Sequence, residues 1–354
     1  MTEFIIVGQG IAANIIAHAF RSQNISFKII GNSQMSSCSQ VAAGIWNPIV
    51  FKRLTKSWLA DDVIPFLEKF YAECEITLNK KFVSQRNFVK PFTEEQEKQL
   101  WLKKSKNELD TYLDSEIYSK PEAGLENCLL TNEYSKIKKA GNIDIVSFLE
   151  SSRNYFKENY LEEVFDYSLL QISSQNVSYK NITAKNIIFC EGYLVKNNPY
   201  FSFIPLKPVK GEVLTIESDE IKIKNTVLNK NGFLMDVGVN TFKLGATYNW
   251  DNLNENPSQE ALNELREKLE KMISCKYKIT NHQAGIRPSS LDRRPIIGPH
   301  PQYKNLFVFN GLGTKGVMLA PYFANNFVNF YLNKQALMTE VDVKRFYSLL
   351  NAKK

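Results

Sequence analysis

The segment that most narrows the possible folds is residues 1–30. The apolar run Phe4-Ile5-Ile6-Val7 leads into Gly8-Gln9-Gly10-Ile11-Ala12-Ala13, helical spacing continues from about Ile11 to Ser22, and a second apolar run follows at Phe27–Ile30. Strand, glycine turn, helix and strand in that order make a βαβ unit, and the turn fits the dinucleotide fingerprint with alanine at its third small position. Gly8 permits the tight turn, Gly10 lets a pyrophosphate approach the backbone, and Ala13 is small enough for the helix to lie against the strand. Ile11 opens a helix whose positive end would face the phosphates. One element of the fingerprint is missing. The strand Phe27-Lys28-Ile29-Ile30 ends at Gly31-Asn32, where an acidic residue normally holds a ribose. Asn32 and Ser33 either hydrogen-bond ribose hydroxyls in its place or are plain turn residues.

The rest of the chain extends this unit. Residues 59–79, 94–113 and 143–155 carry helical spacing. Short strands are expected at Val164–Tyr167, Leu169–Ile172 and Val177–Tyr179, followed by the buried-looking run Asn186–Cys190. Residues 207–250 alternate apolar and polar positions, as antiparallel strands half exposed to water do. The run Leu306–Phe309 then enters the loop Gly311–Gly316 and a closing helix from about Val317 to Tyr331. The chain is therefore expected to begin and end in the same nucleotide-binding layer, with a β-rich middle interleaved.

Composition removes several classes of function. At 354 residues and 44% hydrophobic content the chain can bury the cores of two domains. No stretch approaches the roughly 18 apolar residues of a membrane span. The opening Met1–Val7 goes straight into a strand pattern without the features of a signal peptide, so a cytoplasmic location and no membrane partner are expected. The net charge of +7 comes from scattered lysines such as Lys80-Lys81, Lys103-Lys104 and Lys138-Lys139, a solvated surface in which a nucleic-acid partner is not expected. Five cysteines, at 38, 74, 128, 190 and 275, form neither a disulfide framework nor a zinc set. His18, His282 and His300 have no metal-ligand spacing, and no metal is expected.

Further segments extend the pattern over most of the chain. They are Ser39-Gln40-Val41-Ala42-Ala43-Gly44-Ile45-Trp46-Asn47-Pro48, Phe189-Cys190-Glu191-Gly192, Leu206–Leu214 and Gly245-Ala246-Thr247-Tyr248. The most specific is His282-Gln283-Ala284-Gly285-Ile286-Arg287-Pro288, continuing through Asp292–Gly298 to the loop Gly311–Gly316 and Leu319-Ala320-Pro321. Together these resemble the D-amino acid oxidase and glycine oxidase family of FAD-dependent oxidoreductases. The resemblance implies an α/β (α+β) fold, a Rossmann-like FAD-binding domain of residues 1–50, 140–204 and 283–354 interleaved with an antiparallel-sheet substrate domain of residues 51–139 and 205–282.

It also implies roles for residues. Ala42, Ala43 and Gly44 lie against the isoalloxazine ring, small enough for backbone amides to reach its polar edge. Gly192 closes over FAD, and Leu169 is carried as a further cofactor contact. Gly313, Thr314, Lys315 and Gly316 precede a helix whose amides and dipole can stabilise charge on reduced flavin. Arg287 matches the arginine that pairs bidentately with the substrate carboxylate. Lys315 stands where some relatives carry a second cation, and is either that or a solvated lysine. Covalent flavin attachment needs a cysteine near Arg287; none follows Cys275, so FAD is expected to be noncovalent.

The implied reaction is oxidation of the C–N bond of an amino acid or carboxylate-bearing secondary amine, by hydride transfer to flavin N5 followed by imine hydrolysis. The electron acceptor stays open among oxygen, a quinone and a carrier protein. Phe233 stands where glycine oxidases place a tyrosine near the substrate carboxylate, and Leu234 offers no hydroxyl in its place; this counts against a small amino acid as substrate. Trp46, Arg53 and Trp58 either wall the pocket or pack structurally. Other readings are the oxidase module of tRNA wobble-uridine modifying enzymes that cleaves a carboxymethylamino group, a nicotinamide-dependent dehydrogenase, which the missing ribose acid opposes, and a non-catalytic flavoprotein.

Overall fold

A computed structural model describes residues 1–35, 37–122, 124–128 and 133–352. The N-terminal βαβ unit forms as its spacing predicts, with strand Thr2–Val7, helix Ile11–Ser22 and strand Phe27–Gly31. Strand Thr2–Val7 lies at the centre of an eight-stranded sheet, parallel to Phe27–Gly31 on one side and to Ile182–Phe189 on the other. Leu306–Asn310 also pairs parallel with Ile182–Phe189, so the N-terminal and C-terminal segments do share one layer. The remaining strands extend its edges: Tyr160–Glu162 runs parallel to Phe27–Gly31, and Ile296–Pro299, Val177–Tyr179 and Leu170–Ile172 add antiparallel pairs.

Helices Ile11–Ser22, Ala60–Leu78, Ile145–Tyr155 and Gly316–Asn333 bury their apolar faces in one continuous core with Phe4, Ile6 and Ile29 of this sheet. Strand residues facing the other way, Ile5, Val7, Ile187 and Val308, enter a second core. Burial on both faces explains why these strands read as unbroken apolar runs. Among the described residues, no helix is long and apolar enough to cross a membrane.

The β-rich middle forms a seven-stranded sheet in the order Lys278–Arg287, Val209–Glu217, Thr241–Gly245, Phe233–Gly238, Thr226–Asn229, Asn87–Pro91 and Tyr134–Ile137. All neighbours are antiparallel except Thr226–Asn229 with Asn87–Pro91. Strand Lys278–Arg287 runs across the 282/283 division anticipated from sequence.

Three expectations are corrected. Strand Val209–Glu217 is not half exposed: helix Gln259–Glu270 packs Leu265 and Leu269 against Leu214 and Ile216 on one face, and Gly211 and Val213 on the other face line a cavity instead of open surface. Residues 164–167 form no strand, because Phe165 turns in to stack on Tyr179 at 4.5 Å and the Asp166 side chain accepts the Ser168 N–H; pairing resumes only at Leu170. The helix anticipated over 94–113 ends at Ser105, after which turns carry Leu109, Tyr112 and Leu113 into the core.

Gly44 fixes how the loop after helix Cys38–Val41 leaves the sheet. Its φ is +70°, and a Cβ there would lie 1.9 Å from the Ile143 carbonyl oxygen. Gly44→Ala is expected to lower stability by at least the ~1–3 kcal/mol of a strained left-handed residue, read as a lower urea midpoint at unchanged m-value.

Candidate functional site

A cavity of about 1190 Å³ separates the carboxyl ends of the parallel strands from the seven-stranded sheet. Gly8, Gly10, Ile11 and Asn32 line one end. Bare backbone is required here: a Cβ on Gly8 would sit 2.5 Å from the Cys190 carbonyl oxygen, and one on Gly31 would sit 3.0 Å from the carbonyl of Gly8. Helix Ile11–Ser22 begins at Gly10 without a side-chain cap or an acid in its first turn, so its positive end is uncompensated. Ser39 Oγ accepts the Ile11 N–H at 3.0 Å. Gln9 donates from Nε2 to the Met35 carbonyl, and its Oε1 is buried without a partner. Ala13 lies within the helix, fully buried and off the cavity, where its small size serves packing.

The missing acid has a neighbour that sequence reasoning did not find. Asn32 spends its side-chain carbonyl on the Gln34 N–H, an Asx turn. The adjacent strand Tyr160–Glu162 places Glu162 beside Gly31, where its carboxylate accepts the Ser33 N–H and pairs with Arg153. Burial would raise this carboxyl, but those partners hold it below the ordinary carboxylate range. The next residues, Glu163, Val164 and Phe165, line the cavity. Leu169 does not: it is 42% exposed in the turn Tyr167–Leu169.

Ala42, Ala43 and Gly44 line the middle of the cavity, as does Gly192, whose carbonyl accepts from Asn310 Nδ2 at 2.9 Å. The loop is pinned from the facing sheet by Lys243, whose Nζ donates to the Val41 carbonyl at 3.0 Å. Burial pushes this lysine down, with the charge of Asp144 opposing. Beside Gly192, the half-buried Glu191 carboxyl is pushed up to about 7 by desolvation, against hydrogen bonds from Asn198 and Tyr167.

Gly313, Thr314, Lys315 and Gly316 all face the cavity at the uncapped start of helix Gly316–Asn333. Lys315 is not a solvated lysine. Its ammonium donates to Ser57 Oγ, and burial, aided by the charge of Arg294, brings it down to about 8. Arg294 stacks 4.1 Å over Trp58, which stacks in turn on Phe323 at 5.4 Å. Trp46 packs against Gly141 and donates to the Lys139 carbonyl, while Arg53 is exposed and off the cavity.

At the opposite wall, Arg287 ends its strand with the guanidinium laid across Gly211, where a Cβ would meet Nη2 at 1.9 Å. Nη1 donates to the Thr247 carbonyl at 3.2 Å, and the guanidinium lies 4.7 Å over the Tyr248 ring. Among the described residues no carboxylate forms an ion pair with it. Phe233 also lines this part of the cavity. No group of potential metal ligands occurs among the described residues.

Bare glycine backbone and a helix start without an acid in its first turn fit a bound dinucleotide phosphate, and the unpartnered Gln9 oxygen offers an acceptor to a ligand hydroxyl. The fold is that of glycine oxidase from Geobacillus kaustophilus (TM-score 0.77, 18% identity, 98% of this chain and 97% of that one) and of iminodiacetate oxidase from Chelativorans sp. BNC1 (TM-score 0.79, 15% identity, 97% and 98%). In sequence, the chain is 27% identical over 130 residues to a glycine oxidase of Bacillus subtilis strain 168, covering 36% of this chain and 35% of that protein. It is 28% identical over 131 residues to a tRNA 5-methylaminomethyl-2-thiouridine biosynthesis bifunctional protein of Marinobacter nauticus, covering 34% and 21%. These matches span about a third or less of each relative's length. The profile of the DAO family, described as FAD dependent oxidoreductase, matches residues 3–328, and the chain belongs to that family.

Proposed function

We propose that this chain removes hydride from the carbon beside the nitrogen of a carboxylate-bearing amine, an amino acid or secondary amine, and releases an imine that hydrolyses in water. The observation that carries this reading is Arg287, a guanidinium with no acidic partner among the described residues, facing the same cavity as the glycine cradle. Its paired N–H donors match two carboxylate oxygens, so it fixes the substrate's orientation. Bound FAD supplies the hydride acceptor. Gly8, Gly10 and the start of helix Ile11–Ser22 would hold its phosphates, and Ala42, Ala43 and Gly44 would pass close to its ring. Phe233 supplies apolar wall, and Lys315 keeps a positive charge inside the cavity. Acceleration by orientation is the main contribution asked of these residues.

A second reading, a carboxymethylamino group borne on a tRNA uridine, is favoured by the partial match to a tRNA-modifying bifunctional protein. Anaerobic titration of the flavin absorbance with D-amino acids, glycine, sarcosine and carboxymethylaminomethyluridine separates the two. Bleaching by one class assigns the substrate; a yellow protein that none of them bleaches overturns both readings.

Two thiols line the cavity, Cys38 and Cys190, and burial raises both, disfavouring the nucleophilic thiolate. Acid precipitation should therefore leave all the flavin in solution. Arg287→Ala is expected to lower kcat/KM by ~10²–10³-fold, the scale of removing one partner of a buried charge pair, at unchanged flavin content. Arg287→Lys should recover only part, because a single ammonium cannot reproduce the paired donors. Lys315 is cationic below about pH 8 and neutral above it. The dissociation constant of a carboxylate ligand should thus rise about tenfold as pH passes upward through that value, and Lys315→Met should flatten the profile.

A further inference from the structure

Beside Arg287 the chain leaves strand Thr241–Gly245 for a loop that ends at Ser258, the cap of helix Gln259–Glu270. Tyr248 and Trp250 stand on this loop, 53% and 52% exposed, with ring centroids 6.1 Å apart and planes inclined by 25°. The Arg287 guanidinium lies over Tyr248 at 4.7 Å, so cation, phenol and indole are neighbours, with Arg287 and Tyr248 lining the cavity and Trp250 beyond its lining. Neither ring joins an apolar core.

The loop is cross-bonded throughout its length. Asn249 Oδ1 accepts the N–H groups of Asp251 and Asn252, and Asn252 and Asn254 each accept the N–H two residues on. Lys210, 1% exposed, donates from beneath to Asn254 Oδ1 at 3.0 Å and to the Asn256 carbonyl. Its ion-pair partner Glu212, 2% exposed and 3.2 Å away, accepts both the N–H and the hydroxyl of Ser258. A buried ion pair is tolerable only when hydrogen-bonded throughout, and here those bonds fasten the loop. Two half-exposed aromatic rings on a hydrogen-bonded loop beside a cationic anchor leave ring surface for another flat ring. Phe233, by contrast, gives a glycine-sized substrate no second polar anchor.

We propose that Trp250 and Tyr248 form a stacking subsite for a planar aromatic or heteroaromatic ring carried by the substrate. The chain then acts on carboxylate-bearing amines with an aromatic far end, in preference to glycine-sized ones. This rests on the reading of Arg287 as the carboxylate anchor.

The test titrates anaerobic FAD-loaded protein with N-benzylglycine and N-methylglycine, following flavin absorbance and tryptophan fluorescence. N-benzylglycine should bind about tenfold more tightly, the scale of one ring stacked on an aromatic side chain, and should quench fluorescence. Trp250→Ala should bring the benzyl-to-methyl ratio to within about twofold of unity, and Trp250→Phe, which keeps a ring, should retain most of it. Equal affinities in the unaltered protein, or a ratio that survives Trp250→Ala, overturn the subsite and leave the amine reading intact. Perturbation of the flavin by neither compound overturns the amine reading itself. A third ligand with 5-linked uridine in place of phenyl identifies the ring: tighter binding than N-benzylglycine assigns a nucleobase, weaker binding a carbocycle, and either supports the subsite.

Discussion

Everything in this molecule depends on three backbone segments meeting without side chains between them. Gly8 lies so close to the Cys190 carbonyl and to Gly31 that a single methyl group would part them. Because Val7 is in register with both Ile30 and Phe189, the carboxyl ends of three parallel strands stop at one level. A cavity at the carboxyl edge of a parallel sheet follows, with the helix start aimed into it. The later parts of the chain build on that edge: the loop at Gly192, the turn at Gly313 and the segment Ala42–Gly44 each approach the same space.

The second organising feature is the treatment of buried cations. Lys210, Lys243 and Lys315 are all taken largely out of water, and each ammonium is given oxygen partners whose positions matter. Lys243 ties the seven-stranded sheet to the loop that carries Ala42, and so sets the width of the cavity between the two layers. Lys210 fastens the loop that carries Tyr248. Lys315 differs in facing the cavity with, among the described residues, a serine hydroxyl as its acceptor, so burial and the charge of Arg294 bring it down to about 8. Arg287, held flat by Gly211 and Tyr248, keeps donors for a ligand because its protein contacts are a carbonyl and a ring instead of a carboxylate.

These features were unequally legible in the sequence. The Gly8–Ala13 turn was readable because its requirements are local: a tight turn, a close approach and a helix start within six residues. The runs that became Ile182–Phe189 and Leu306–Asn310 were readable because burial on both faces leaves them wholly apolar. Glu162 was not, since parallel pairing brings it to Gly31 from more than a hundred residues away. Residues 164–167 look like a strand by alternation alone; the stacking of Phe165 on Tyr179, which prevents one, depends on where strand Val177–Tyr179 lies in the sheet, and local alternation does not give that. Lys210 and Lys243 sit in strands read as half exposed, and alternation assigns lysines to water. Helix Gln259–Glu270 and the Ala42 loop reverse that assignment by covering the faces on which they lie.

The placement of Arg287 shows how a site can be shared between two layers without a hinge between them. Its strand belongs to the seven-stranded sheet, yet the residues that follow return at once to the layer of the glycine turn, Ser289 bridging to Leu312 and the Gly313 N–H donating to the Pro288 carbonyl. The residues that follow the proposed carboxylate anchor are therefore hydrogen-bonded to the loop beneath the proposed flavin site. A shift of one sheet against the other would have to break those bonds. On the proposed reading, those backbone bonds hold the carboxylate anchor and the flavin loop at a fixed separation, the condition for catalysis by orientation.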